Sequence, residues 1–133
     1  MNIKDFADAL ASKDLERYSH WFAEDMRLYT PVHEEPSVGR QAACQILPLV
    51  FSLFDDFHYP DVIEGSDSHA LLFHATVEGV ALEGIDYIRT NAQGQVTDFF
   101  VMVRPLKALT TLAKAIGARM RAAGAPPALD EQP

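Results

Sequence analysis

Three runs of alternating apolar residues, separated by tight turns, fill residues 69–104. They commit this half of the chain to neighbouring antiparallel strands. The runs are 69–78, 82–90 and 95–104. In each, every second side chain points to the same face. Gly79 marks the first turn, Asn91-Ala92-Gln93-Gly94 forms a hairpin loop, and Pro105 closes the last strand. A further run, 58–64, leads into the turn Gly65-Ser66-Asp67-Ser68.

Helical spacing governs what surrounds these strands. Ile3, Phe6, Ala7 and Leu10 predict an amphipathic helix over residues 2–11. Ser12 or Asp14 can cap the next one. Its buried stripe would be Leu15, Tyr18, Trp21 and Phe22, with Ala23-Glu24-Asp25 at its end. Residues 26–30 alternate and stop at Pro31, which suits a short strand, and 31–39 (PVHEEPSVG) read as a loop. A third helix is expected over about 40–54, kinked at Pro48. Leu106, Leu109, Leu112, Ala113, Ile116 and Met120 form the stripe of a last helix. The order is helix, helix, strand, helix, antiparallel strands, helix, which implies an α+β fold. Strong curvature in that sheet would enclose a pocket. At 133 residues the chain makes one domain, residues 1–121, followed by a Pro- and Ala-rich tail, 122–133, expected to be flexible.

Charge excludes some functions. Nineteen acidic against eleven basic residues give a net charge of -8, which argues against a nucleic-acid partner. The bases cluster: Arg104, Lys107, Lys114, Arg119 and Arg121 fall within 104–121, where there is no acid. Positive charge late in a helix complements the helix dipole, so this stretch reads as a closing helix and not as a membrane surface. No run approaches the roughly 18 apolar residues of a membrane span. Acidic residues interrupt the first apolar turns, unlike a signal peptide. The one cysteine, Cys44, forms no internal disulfide and sits in an apolar helical pattern. A cytoplasmic protein is expected. No phosphate loop, paired-cysteine motif or other cofactor signature is present, so no cofactor is expected.

The element order and several segments together resemble the SnoaL-like branch of the nuclear transport factor 2-like superfamily. The segments are WFAEDMRLYTP, the loop closing on Gly39-Arg40, Leu82-Glu83-Gly84-Ile85-Asp86, the Asn91–Val96 hairpin and Val103-Arg104-Pro105. The resemblance covers about residues 2–120. It implies a cone-shaped, strongly curved antiparallel sheet, helices packed on its concave face, an apolar pocket and a homodimer. Related proteins include ketosteroid isomerase, polyketide cyclases and limonene epoxide hydrolase, along with many non-enzymes. One fold hosts many chemistries.

Testing the ketosteroid isomerase pattern position by position retains one group of three. In that enzyme a carboxylate base moves a proton while a tyrosine and a protonated Asp stabilise the enolate oxygen. The resemblance places the Asp of the oxyanion pair at Asp86, the base at Thr30 and the tyrosine at Phe6. Thr30 has no useful base strength, and Phe6 donates no hydrogen bond. On the last strand, Thr97, Phe99, Val101 and Val103 share one face and Asp98 the other. If Phe99 and Val103 face inward, that wall is apolar where hydrolases and cyclases of this type carry an acid.

Asp86 is therefore the candidate catalytic residue. It shares a face with Leu82, Gly84 and Ile88, and an apolar surround would raise its pKa. It would act as a donor to a ligand carbonyl or as a base; the alternative is a structural hydrogen bond. The expected pocket comprises Phe6, Trp21, Thr30, His33, Phe73, Asp86, Phe99, Val101 and Val103. No metal is expected: His33, Glu34 and Glu35 are adjacent and lack a distant third ligand, and His20, His58, His69 and His74 lack ligand spacing. Leu72, Ile85, Tyr87, Phe100 and Met102 form an outward set too apolar for a solvated sheet face, which predicts pairing through the convex side. The functional expectation is a protein that binds a small apolar molecule, with or without an isomerase- or cyclase-like acid/base step. The alternative is a non-catalytic carrier or a dimeric interaction module.

Overall fold

The computed structural model describes residues 1–122, so the expected tail, 122–133, lies outside the described residues except for Ala122. Its elements are α1 (Ile3–Ala11), α2 (Leu15–Ser19), β1 (Phe22–Tyr29), β2 (Ser37–Val38), α3 (Arg40–Ser52), β3 (Asp55–Glu64), β4 (Ser68–Val77), β5 (Val80–Thr90), β6 (Val96–Arg104) and α4 (Leu106–Ala122). Six strands form one curved, unclosed sheet in the order β2-β1-β6-β5-β4-β3. Helices cover one face. The fold is α+β, as the patterning predicts.

Local chemistry explains the helix starts. Asn2 accepts a hydrogen bond from the Asp5 amide at 3.1 Å, and Asp14 accepts one from Glu16 at 3.1 Å. Each side chain satisfies an amide that the first helical turn leaves free. Gly39 precedes α3 with φ +103°, a conformation costly for any residue bearing a Cβ. Its amide donates to Met26 O at 2.7 Å and ties the helix start to β1.

Several boundaries differ from the sequence reading, and the differences share a cause. The second helix ends at Ser19, so Trp21 and Phe22 do not lie on it, and Phe22 opens β1. Residues 23–25, expected at a helix end, belong to this strand. Its register against β6 shifts between Phe22 and Arg27. That irregularity places Glu24 and Asp25 side by side in solvent and destroys the period-two signal. β3 likewise starts at Asp55 and not His58, with register shifts on both sides of His58. Asp56 there has φ 52°. β3 is an edge strand, which is why it accommodates Pro60. The loop 31–39 contributes the two-residue β2. Leu106, expected on the buried stripe of α4, is 77% exposed.

The sheet is mixed and not wholly antiparallel. β1 runs parallel to β6, with Tyr29 beside Phe100, while the other neighbours are antiparallel. β4 and β5 pair without a break from Ser68–Arg89 to Val77–Val80. Their inward residues are those the alternation predicts: Leu71 and Phe73 on β4, and Leu82, Asp86 and Ile88 on β5, all buried. β6 departs in one place. A bulge opposite Arg89 and Thr90 makes Thr97 the extra residue, so buried Val96 joins Phe99 on the inner face. Thr97 is thus not an inward wall residue; its hydroxyl donates to Arg89 O at 3.3 Å.

Gly84 shows how tightly the sheet packs where it bends. A Cβ there would lie 2.1 Å from Met102 O and 2.6 Å from Phe73 Cζ. The Phe73 ring occupies the space that a side chain at position 84 would need.

Candidate functional site

Side chains from β1, β3, β4, β5, β6, α3 and α4 converge on a cavity of about 40 Å³ on the helix-covered face. From the sheet come Leu28, Thr30, Phe73, Asp86, Phe99 and Val101. α3 and the turn after it contribute Ile46, Leu47, Val50, Phe51 and Phe54. α4 closes the space with Leu109, Leu112, Ala113 and Ile116. Pro31, Val32 and Phe57 complete the wall. The cavity is large enough for ordered water yet far below the several hundred Å³ of a usual small-molecule site. A ligand bigger than a few atoms must displace wall side chains.

Asp86 is the one titratable group in this lining. It is 4% exposed. Tyr59, from β3, donates its phenolic proton to Asp86 Oδ2 at 2.6 Å. Burial in an apolar surround disfavours the carboxylate and raises the Asp86 pKa from 3.8 to about 7. The Tyr59 hydrogen bond opposes that shift. Tyr59 is itself pushed well above 10 by burial and by the neighbouring carboxyl. The pair leaves Oδ1 of Asp86 for another partner. A carboxyl that changes charge near neutral pH can donate a hydrogen bond in one form and accept a proton in the other.

Thr30 is the second polar group of the wall. Its Oγ1 is buried and has no hydrogen-bond partner.

The comparisons with known proteins bear on this arrangement. A family model of the SnoaL-like domain matches residues 3–99. The chain belongs to the SnoaL-like family. An uncharacterised protein of cystatin-like fold from Silicibacter pomeroyi is 28% identical, with a TM-score of 0.86 over 92% of this chain and 86% of the other. A steroid delta-isomerase from Pseudomonas aeruginosa is 30% identical, with a TM-score of 0.85 over 91% of this chain and 90% of that one. A candidate SnoaL-like polyketide cyclase from Shewanella denitrificans is 11% identical, with a TM-score of 0.65 over 85% and 94%, and shows the fold alone. No curated protein matches the chain.

Within this SnoaL-like framework the structure sorts the expected pocket residues into two groups. Thr30, Phe73, Asp86, Phe99 and Val101 meet around the cavity. Phe6, Trp21, His33 and Val103 do not line it. Phe6 is fully buried and packs edge-on against Trp21, Phe22 and Phe99 at centroid distances of 5.4, 6.4 and 6.4 Å. These rings fill the space beneath α1. Trp21 is half-buried and stacks on His20 at 4.1 Å. His33 has a buried, unpaired Nε2 but is not among the residues that line the cavity. Val103 lies opposite Gly84, on the inner face beyond the cavity's end.

Sequence reasoning missed Tyr59 and the entire helical wall. Tyr59 lay in the run 58–64, but the two register shifts in β3 decide which of its residues turn inward. The stripes of α3 and α4 were legible as core, and only their packing shows which members border empty space. Among the described residues, no group of three or more His, Cys, Asp or Glu is placed to hold a metal ion. The scattered histidines do meet in one place. His58 and His74 rings lie 5.5 Å apart, and His74 Nε2 is 3.2 Å from Glu83 Oε2, on the exposed side of β3, β4 and β5. No described helix is long and apolar enough to cross a membrane.

Proposed function

We propose that this SnoaL-like protein binds a small, mostly apolar molecule and holds a carbonyl or hydroxyl oxygen of it against Asp86. The observation that carries this reading is a buried carboxyl in an otherwise apolar wall, with one oxygen held by Tyr59 and the other left over. The neutral acid would donate from Oδ1 to a ligand carbonyl. Polarising that carbonyl acidifies the adjacent C–H, which is the first requirement of an isomerase- or cyclase-like step. The likeness to a protein described as a steroid delta-isomerase supports this class of chemistry.

One observation favours a second reading, a non-catalytic ligand carrier. Thr30 stands where the isomerase pattern expects its base, and no other carboxylate lines the cavity among the described residues. Both readings are tested with a β,γ-unsaturated steroid ketone and its conjugated isomer, following binding by calorimetry and conversion by the absorbance of the conjugated product. The isomerase reading expects saturable binding and conversion, both reduced at least about tenfold in Asp86→Asn. Binding without conversion establishes the carrier. Failure of both ketones to bind overturns the pocket assignment for steroid-sized ligands.

We also propose a homodimer formed on the convex face of the sheet. Ile85 is 36% and Met102 51% exposed there, adjacent across the β5–β6 ladder. Beside them Phe100 stacks on Tyr29 at 4.0 Å and packs near Tyr87 at 5.8 Å. The free thiol Cys44 accords with a cytoplasmic location.

A further inference from the structure

The hydroxyl of Thr30 is a buried polar atom of the cavity wall that the fold leaves without a partner. Buried hydroxyls are nearly always paired, because losing water without gaining a partner costs on the order of 1–3 kcal/mol. Nothing in the local chain requires a hydroxyl here. Thr30 follows β1 and precedes Pro31, whose ring holds its backbone extended. Period-two alternation puts it on the inner face with Leu28, opposite Tyr29. A valine would fill the same space without an unpaired group.

Register relates Thr30 to Asp86. Tyr29 lies beside Phe100 in the parallel β1–β6 pair, so the next residue, Thr30, falls beside Val101. Val101 is in turn the partner of Asp86 in the β6–β5 pair. Thr30, Val101 and Asp86 thus form one row across three adjacent strands, and all three line the cavity. Two strand spacings separate the ends of the row by roughly 10 Å. If the side chains project in parallel from that row, taking off two hydrogen bonds of about 2.8 Å each leaves about 4–5 Å between the two oxygens of a bridging ligand, a span of the order of that across one six-membered ring. The side chain between the two polar ends is apolar Val101.

We propose that Thr30 is a specificity-determining residue of this site, and that the ligand is a single six-membered ring bearing oxygen functions at opposite ends, one held by Asp86 and one by Thr30 Oγ1. The inference rests on the assignment of the Asp86 cavity as a ligand site. It narrows the ligand class from apolar molecules in general to small cyclic hydroxyketones or diketones. The small cavity suits such a ligand better than a fused polycycle, since one ring requires the least displacement of the α3 and α4 side chains.

The test compares two probes, cyclohexanone and 4-hydroxycyclohexanone, titrated by NMR into the wild type, Thr30→Val and Thr30→Ser. The wild type is expected to bind the hydroxyketone about 3- to 10-fold tighter than the ketone, the range of one hydrogen bond. Thr30→Val should abolish that preference, and Thr30→Ser should retain it. Thermal denaturation without ligand provides a readout independent of binding. If the hydroxyl has no partner in the fold, Thr30→Val leaves the melting temperature unchanged or raises it. A fall in melting temperature that Thr30→Ser restores identifies a structural hydroxyl and overturns the inference. Equal affinity of the wild type for both probes overturns the role of Thr30 and leaves the Asp86 site standing. If neither probe binds the wild type, the Asp86 site fails for small rings and this inference fails with it.

Discussion

Asp86 concentrates the chemistry of this protein in one carboxyl, and its environment makes two predictions. Its folded pKa, about 7, lies above the 3.8 of an unburied aspartate. The folded state therefore holds the proton more tightly than the unfolded chain does. The resulting stabilisation is fully present below about pH 3.8 and is lost as pH rises through about 7. The full shift corresponds to about 4 kcal/mol. Subtracting the pH profile of Asp86→Asn from that of the wild type isolates this group from other titrating residues. The difference in unfolding free energy should change steadily from pH 4 to 7 and flatten above, with the wild type losing ground as pH rises; a flat difference would show that Asp86 is not buried as described. The second prediction concerns Tyr59, whose hydrogen bond holds the Asp86 pKa down. Tyr59→Phe should move the Asp86 midpoint, followed by the carboxyl carbon shift in NMR, to higher pH. Alternation alone gave Asp86 its inward direction, because β5 pairs with β4 residue for residue. Tyr59 had no such signal, since β3 shifts register on both sides of His58 and Tyr59 lies within the second shift.

At the scale of elements, the strands divide into those whose ladder is unbroken and those that bulge. β4 and β5 were legible to within two residues at each end. β1 was half hidden, and its first residues read as helix because the shift between Phe22 and Arg27 leaves Glu24 and Asp25 adjacent and exposed. β6 began one residue later than expected and changed face at Thr97. The close approach of β5, β6 and Phe73 at Gly84 gives this scale its prediction. Gly84→Ala forces a methyl against a backbone carbonyl that has no rotamer to escape into. It should destabilise the fold by at least about 2 kcal/mol, read as a lower urea midpoint with an unchanged slope. A neutral substitution would mean that β5 and β6 can separate there. Because Phe73 also lines the cavity, the same variant should weaken binding of any ligand that the site accepts.

For the whole molecule, the basic stretch 104–121 makes specific contacts with the rest of the fold. Arg104 pairs with Glu83 across the β5–β6 ladder, and Arg119 on α4 donates to Ser52 Oγ on α3 at 3.1 Å. The pairs are exposed and contribute little to stability. The Arg119–Ser52 contact links α4 to α3. The convex face carries the exposed apolar neighbours Ile85 and Met102. Introducing charge there with Ile85→Glu and Met102→Glu should convert the proposed homodimer to a monomer in sedimentation equilibrium, without lowering the monomer's helical or strand content by circular dichroism. A wild type that sediments as a monomer at micromolar concentration would remove the dimer proposal.

The sequence by itself determined the α+β class, the inward direction of Asp86, Phe73 and Phe99, and the family to which the chain belongs. The class and the inward directions depend on local periodicity and turn chemistry, which each segment carries within itself, and the family on the resemblance of several segments taken together. Only the tertiary structure decided that β1 pairs in parallel with β6, that Phe6 and Trp21 pack beside the cavity instead of around it, and that Tyr59 reaches Asp86. Each of these joins residues far apart in the chain. Their meeting is set by bulges, strand order and the volumes of side chains competing for one interior, and no single segment encodes that competition.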